Sequence, residues 1–214
     1  MEKSNIIPPN KHVFVCGMTG TGKSYLCEKY LTNYDYVVKL DTKDETDERY
    51  SLGLSPWENL EEGKDFTVVR EFEELDEVET KKIIFVPDYE KQTTEDFEKF
   101  FKWIFNRGNT ILWIDELMSI GTVNSFPKQL GRLYTQGRSK GIGVWSCSQR
   151  PSAIPSIAMA NSNYFFVFNM TLPQDRKKLV ETTGQLQMYD LPKGHNFWYY
   201  KMGDNNTVKA KLVV

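Results

Sequence analysis

Cysteine is scarce in this chain. Its 214 residues include three, Cys16, Cys27 and Cys147. The number is odd, and no CxxC pair or His/Cys cluster occurs, which leaves no disulfide framework and no thiol–imidazole metal centre. Cys16 and Cys147 lie in apolar runs and read as small buried hydrophobes. Long hydrophobic stretches are also lacking. No run approaches the ~20 residues needed to cross a bilayer. The opening segment MEKSNIIPPNKH has no apolar core of the signal-peptide kind. A soluble protein of a reducing, intracellular compartment is expected. Internal repeats and low-complexity tracts are absent as well.

Net charge is nearly absent, at -2, and argues neither for nor against an anionic partner. Its distribution says more. Residues 41–100 hold 20 Asp/Glu against 8 Lys/Arg, whereas residues 101–214 hold 6 against 14. The second half could therefore face a polyanion. Hydrophobic residues make up 40% and aromatics 14%, enough apolar mass to exclude a disordered chain and to support one large folded unit.

Short apolar runs recur at 12–16, 36–40, 66–69, 83–86, 110–114, 142–146 and 164–168. They do not alternate with polar residues, which is how strands covered on both faces read. Helical patterns fall between several of them, at 24–31, 93–106, 126–136 and 175–182. The alternation predicts an α/β fold with a mostly parallel central sheet flanked by helices and joined by right-handed crossovers. Near the end, NFWYYK at 196–201, the turn Gly203-Asp204-Asn205-Asn206 and the stretch 207–214 predict a β-hairpin. Residues 44–80 break the rhythm. They are acidic, carry Gly53, Pro56 and Gly63, and contain one good strand candidate. They read as an insertion, or an exposed helical segment at the sheet edge, within a single domain spanning 1–214.

Between the first strand and the first helix lies Gly17-Met18-Thr19-Gly20-Thr21-Gly22-Lys23-Ser24, which fits the phosphate-binding pattern G-x-x-x-x-G-K-[ST]. Glycines let successive backbone N–H groups turn inward as an anion nest, and the helix that follows aims its positive end at the same point. Lys23 would reach the β- and γ-phosphates of ATP. The Ser24 hydroxyl would help to hold Mg²⁺. Tyr25 completes the predicted nucleotide-binding stretch. A second buried strand, Thr110–Ile114, ends in Asp115 and Glu116. Asp115 suits Mg²⁺, and Glu116 suits the orientation or deprotonation of an attacking water. A third strand leads into Gln149, whose amide could touch both the γ-phosphate and that water. Arg132 and Arg138 precede this strand. A planar guanidinium suits transition-state charge on a phosphoryl group, and Arg138, with Arg132 as the alternative, is the candidate arginine finger, presented to a neighbouring subunit. Small-molecule kinases carry similar loops but usually lack the paired acids and need a basic lid over the acceptor.

GMTGTGKS, VVKLDTKDE, ILWIDE and GRSKGIGVWSCSQRPS, in this order, together with the late LPKGHNFWYY, resemble the FtsK–HerA superfamily of DNA-pumping P-loop ATPases over residues 11–202. Among its compact members the chain is similar to the genome-packaging ATPases of tailless, internal-membrane viruses. The resemblance implies a RecA-like P-loop NTPase core and a ring of five or six subunits with ATP sites at their boundaries. It also implies double-stranded DNA in the central channel, a capsid or portal-vertex protein as a further partner, and a location in the host cytoplasm or virion. Candidate DNA-facing segments are 119–129, with Lys128, and the basic 176–178. The segment 44–80 matches no motif of that family. The alternative is an assembly or secretion ATPase of a filamentous phage or pilus-like system, whose relatives usually carry a membrane segment or a longer partner domain.

Overall fold

Seven short strands run side by side in parallel: β1 (Val13–Cys16), β2 (Val37–Leu40), β3 (Phe66–Val69), β4 (Lys82–Phe85), β5 (Ile111–Ile114), β6 (Gly143–Ser148) and β7 (Tyr164–Val167). Two more, β8 (Asn196–Lys201) and β9 (Val208–Lys211), form the expected terminal hairpin and join antiparallel to β7. The computed structural model describes residues 6–213. All nine strands belong to one sheet, in the order β3-β4-β2-β5-β6-β1-β7-β8-β9. This is the mostly parallel α/β sheet anticipated from the apolar runs. Residue 214, placed in the hairpin by its sequence, lies outside the described residues.

Both sheet faces are apolar because successive side chains point to opposite sides. Phe14, Leu40, Leu112, Ile114 and Val144 share one core with α3 (Thr94–Arg107), α4 (Lys128–Gln136), α5 (Ser156–Ala160) and α6 (Pro173–Thr183). Val13, Val15, Val37, Trp113 and Trp145 share the other with α1 (Lys23–Leu31). α3 begins where the sequence suggests. The Thr93 hydroxyl accepts from the Asp96 amide, and two acids follow in the first turn, a standard N-terminal arrangement. The start of α4 is capped from outside instead. The Glu98 carboxylate on α3 accepts the Lys128 and Gln129 amides at 2.6 and 2.7 Å.

The acidic segment is more than an exposed edge. It supplies α2 (Glu45–Ser51) and the edge strand β3, and it drives Trp57, fully buried, against Trp113. Buried charges tie it down. Lys39, 1% exposed in the middle of β2, donates to Glu45 at 2.9 Å and lies over the Trp113 ring. Burial alone would lower the Lys39 ammonium pKa, but Glu45, Asp115 and Asp41 outweigh it and hold it raised. Arg49 on α2 pairs with Glu28 on α1 at 2.9 Å, and Glu28 also accepts the Glu58 amide. A buried ion pair of this kind is costly to break from one side.

All three cysteines are free and buried, as the apolar runs suggested for Cys16 and Cys147. Cys27 on α1 and Cys147 on β6 approach to 3.5 Å, a proximity invisible in the sequence.

One buried group makes stability depend on pH. His12, fully buried just before β1, accepts the Val144 amide on Nδ1. Burial lowers its pKa from 6.5 to about 4; the Tyr134 carbonyl opposes the shift, and the Arg138 and Lys11 charges reinforce it. Because the folded value is depressed, the unfolded chain binds the proton first. Stability is complete above pH 6.5 and declines as pH falls toward 4, by about 3 kcal/mol at most. Denaturant midpoints measured between pH 7 and 4.5 should show this loss, and His12→Asn should flatten it. Asp41 acts in a separate window. Burial would raise its carboxyl, but Lys39 and the Thr46 and Lys43 hydrogen bonds hold it below 3.8, so its share is lost only under stronger acid.

Candidate nucleotide site at the carboxyl edge of the sheet

In parallel sheets the carboxyl ends of the strands open toward one edge, where ligands bind. Here the ends of β1, β2, β5, β6 and β7 bring together the glycine loop, Asp41–Lys43, Asp115–Glu116, Gln149–Arg150 and Asn169. Five segments far apart in sequence meet because their strands are neighbours.

The loop from Gly17 to Gly22 is held at its base. The Gly17 amide donates to the Ser148 carbonyl at 3.2 Å and the Met18 amide to the Asn169 carbonyl at 2.9 Å. At two positions only glycine serves. Gly17 has φ 152°, and a Cβ there would lie 2.5 Å from Phe168 Cβ. Gly22 has φ 102°, with a Cβ 2.7 Å from Leu212 of the terminal segment. His195, just before β8, reaches Thr21 O at 3.2 Å, so the hairpin braces the loop. Helix α1 starts with no side-chain cap and no acid in its first turn. Its leading amides are left for an external anion.

Lys23 is 7% exposed and donates to the Met18 carbonyl at 2.9 Å, alongside the Thr21 hydroxyl at 2.8 Å. A phosphate oxygen is the stronger acceptor for an ammonium and would take it over. The Ser24 hydroxyl donates to Asp115 Oδ1 at 2.7 Å across 91 residues of sequence. Burial and the Glu45 charge raise the Asp115 pKa; Lys39, the Ser24 hydroxyl and Lys43 pull it partly back. A carboxylate strained toward its neutral form beside a hydroxyl fits a hard divalent cation, whose charge would restore the anion. Among the described residues no group of three or more His, Cys, Asp or Glu could hold a metal. Ser24 and Asp115 would thus be the protein's share, with phosphate and water oxygens completing the set, as Mg²⁺ prefers.

Glu116, 6% exposed, lies at the centre of a polar chain. Its Oε2 accepts from Lys43 Nζ at 3.1 Å and from Gln149 Nε2 at 3.2 Å. Gln149 Oε1 accepts from the Thr19 hydroxyl at 3.0 Å. Thr19, Lys23, Ser24, Lys43, Asp115 and Gln149 line one cavity of about 270 Å³, which Tyr25 also borders. The predicted loop, Asp115 and the glutamine therefore meet around a single space, and Glu116 is tied to it through Lys43 and Gln149.

The two candidate arginines do not join them. Arg138 is exposed, in the turn between α4 and β6, at the amino ends of β1, β5 and β6. The Lys140 carbonyl there accepts the Asn109 amide, and Arg138 is close enough to His12 to lower its pKa. The six residues of β6 span about 20 Å between this turn and Gln149. Arg132 lies 3.6 Å over the Phe105 ring and donates to Gln136, engaged in packing α4 on α3. Sequence reading missed Arg150, which pairs with buried Asp175 at 2.9 Å beside Gln149. The sequence marks Lys43 only within the Asp41-Thr42-Lys43 motif that carries the family resemblance, with no role given to it; its place just past the end of β2 puts it at the same edge.

This is the P-loop NTPase fold: a phosphate-type loop on an interior strand of a mostly parallel, helix-flanked sheet, closed by an antiparallel hairpin. More particularly, the chain superposes on the genome packaging NTPase B204 from Sulfolobus turreted icosahedral virus 2, solved in complex with AMPPCP. The TM-score is 0.74 at 16% identity, covering 96% of this chain and 100% of that one. B204 from Sulfolobus turreted icosahedral virus, a DNA-packaging ATPase, gives 0.74 at 17% identity over 97% and 100%. In sequence the chain is 22% identical over 225 residues to protein P9 of Pseudoalteromonas phage PM2, covering 99% of this chain and 95% of P9. No protein-family profile matches. The resemblance to viral packaging ATPases read from the motifs is borne out at the level of the fold. No helix among the described residues is long and apolar enough to cross a membrane.

Proposed function

We propose that this protein hydrolyses ATP to drive double-stranded DNA, as a motor that packages a viral genome in the host cytoplasm. The observation that carries this reading is the meeting of Lys23, Ser24, Asp115 and Gln149 around one cavity, with Glu116 hydrogen-bonded to Gln149 at its border. It occurs in a fold that matches packaging NTPases along their whole length. Loop amides and Lys23 hold the β- and γ-phosphates, and Ser24 and Asp115 hold Mg²⁺. Bound Mg²⁺ supplies positive charge against the phosphate oxygens. Gln149 orients a water, and Glu116 takes its proton as the water oxygen attacks the γ-phosphorus. The β–γ bridge bond breaks, releasing ADP and inorganic phosphate.

Tyr25 borders the same cavity as part of the nucleotide-binding stretch. A neighbouring subunit's Arg138 meets the transferring phosphoryl group in a ring of five or six copies. Hydrolysis then shifts the channel-lining segments, with 119–129 and 176–178 as candidates. Contacts to phosphates would make binding weaken steeply with salt and show little sequence preference.

The test is ATP turnover by the multimeric protein with and without duplex DNA. Turnover should rise with duplex and with its length. Unchanged turnover would remove the motor reading, and stimulation by single strands alone would favour an assembly ATPase.

A further inference from the structure

Lys43 is aimed by its own backbone. Asp41, 1% exposed at the end of β2, accepts the Lys43 amide at 3.0 Å, and the Thr46 amide and hydroxyl at 2.8 and 2.7 Å. The turn is thereby fixed, and Asp44 takes a left-handed conformation at φ 57°. The side chain that emerges is 39% exposed, lines the cavity and reaches Glu116.

The arrangement described is one in which Glu116 is a poor base. A general base needs a lone pair open to the proton it takes. Here Oε2 carries both an ammonium and an amide, and Oε1 faces the Met118 amide at 3.4 Å. Gln149 is fastened at its far end to Thr19 on the glycine loop. The proton acceptor is thus tied to the phosphate loop on one side and to a partly exposed cation on the other. A phosphoryl group seated beyond the loop toward Glu116 would compete for that cation, since phosphate oxygens accept strongly from an ammonium. A nucleoside diphosphate has no third phosphoryl group to compete in this way.

We propose that Lys43 reads the terminal phosphate of the nucleotide: it exchanges from Glu116 to that phosphate, and the exchange uncovers the carboxylate that takes the proton from water. The inference rests on the ATPase reading above. It makes Lys43 a positioning residue for Glu116 as well as a ligand of the triphosphate, and it links readiness for hydrolysis to the presence of the group to be cleaved.

The experiment displaces a fluorescent ADP analogue, in the presence of Mg²⁺, with AMPPCP and separately with ADP. It uses the unaltered protein, Lys43→Ala and Lys43→Arg. In Lys43→Ala the affinity for AMPPCP should fall about tenfold, the scale of one partly exposed charge-assisted hydrogen bond, while that for ADP should change less than about twofold. Lys43→Arg, which keeps the cation, should recover most of the preference. An AMPPCP-to-ADP affinity ratio in Lys43→Ala equal to that of the unaltered protein overturns the inference and leaves the ATPase reading standing. Equal loss toward both ligands, not recovered by arginine, overturns it too, since that is the mark of a damaged turn. An unaltered protein that binds neither ligand removes the ATPase reading and this inference with it.

Discussion

Glu116→Gln is expected to reduce ATP turnover by about two to four orders of magnitude, the usual worth of a positioned general base, while the protein still binds nucleotide. The carboxylate follows β5 directly, and that strand is locked between β2 and β6, so its place does not depend on its charge. Glutamine has nearly the same shape, and its carbonyl oxygen in the place of Oε2 can still accept from Gln149 and Lys43. It cannot take a proton. The phosphate contacts come from other residues, the loop and Lys23, so binding should survive. The two measurements are steady-state hydrolysis at saturating ATP and direct nucleotide binding. If the variant turns over within about tenfold of the unaltered protein, the proton goes elsewhere and the role assigned to Glu116 is wrong. Loss of binding together with turnover would place Glu116 in ligand retention instead.

Much of this site was legible because its parts are local in sequence. The glycine loop is eight consecutive residues between an apolar run and a helix, and Asp115–Glu116 closes another such run. The strands read well for a related reason. A strand covered on both faces has few ways to be polar, so β1, β5 and β7 appear as near-continuous apolar stretches. Where the structure departs from expectation, a polar group is buried with a partner too distant to see. β6 runs on to Ser148 because Ser146 pairs with the Tyr134 hydroxyl and the Ser148 hydroxyl accepts the Arg150 amide. Lys39 fits in β2 because Glu45 and Trp113 receive its ammonium.

Short helices hid for want of a pattern. α2, ETDERYS, has no apolar stripe and is held by Asp41 at its start and Arg49 contacts along its side. α5 has five residues, too few to show a helical period. The link between Lys43 and Glu116 spans 73 residues. It exists only because β2 and β5 are paired.

Arg138→Ala and Lys23→Ala should each abolish most ATP hydrolysis, and mixing the two inactive proteins should restore part of it. Arginine fingers contribute about 10³–10⁵ in rate, so the single loss is expected to be large. The geometry excludes action within one chain. Arg138 is exposed at the amino end of the sheet, and the cavity lies at the carboxyl end, about 20 Å of β6 away. No rotation of one side chain covers that distance. A second copy packed with its amino edge against this cavity could deliver the guanidinium. In a mixed ring, some boundaries then join an intact loop from the Arg138→Ala chain to an intact arginine from the Lys23→Ala chain, and those sites are complete. Lys23→Ala supplies the control, since its own cavity stays dead whatever the neighbour. Hydrolysis is followed at a fixed total concentration while the ratio of the two chains is varied, with mass measured in parallel. A maximum at intermediate ratios marks a shared site. If multimers form and no mixture exceeds either parent, Arg138 is not the finger. Arg150, tied to Asp175 beside Gln149, is then the arginine whose removal should be measured next.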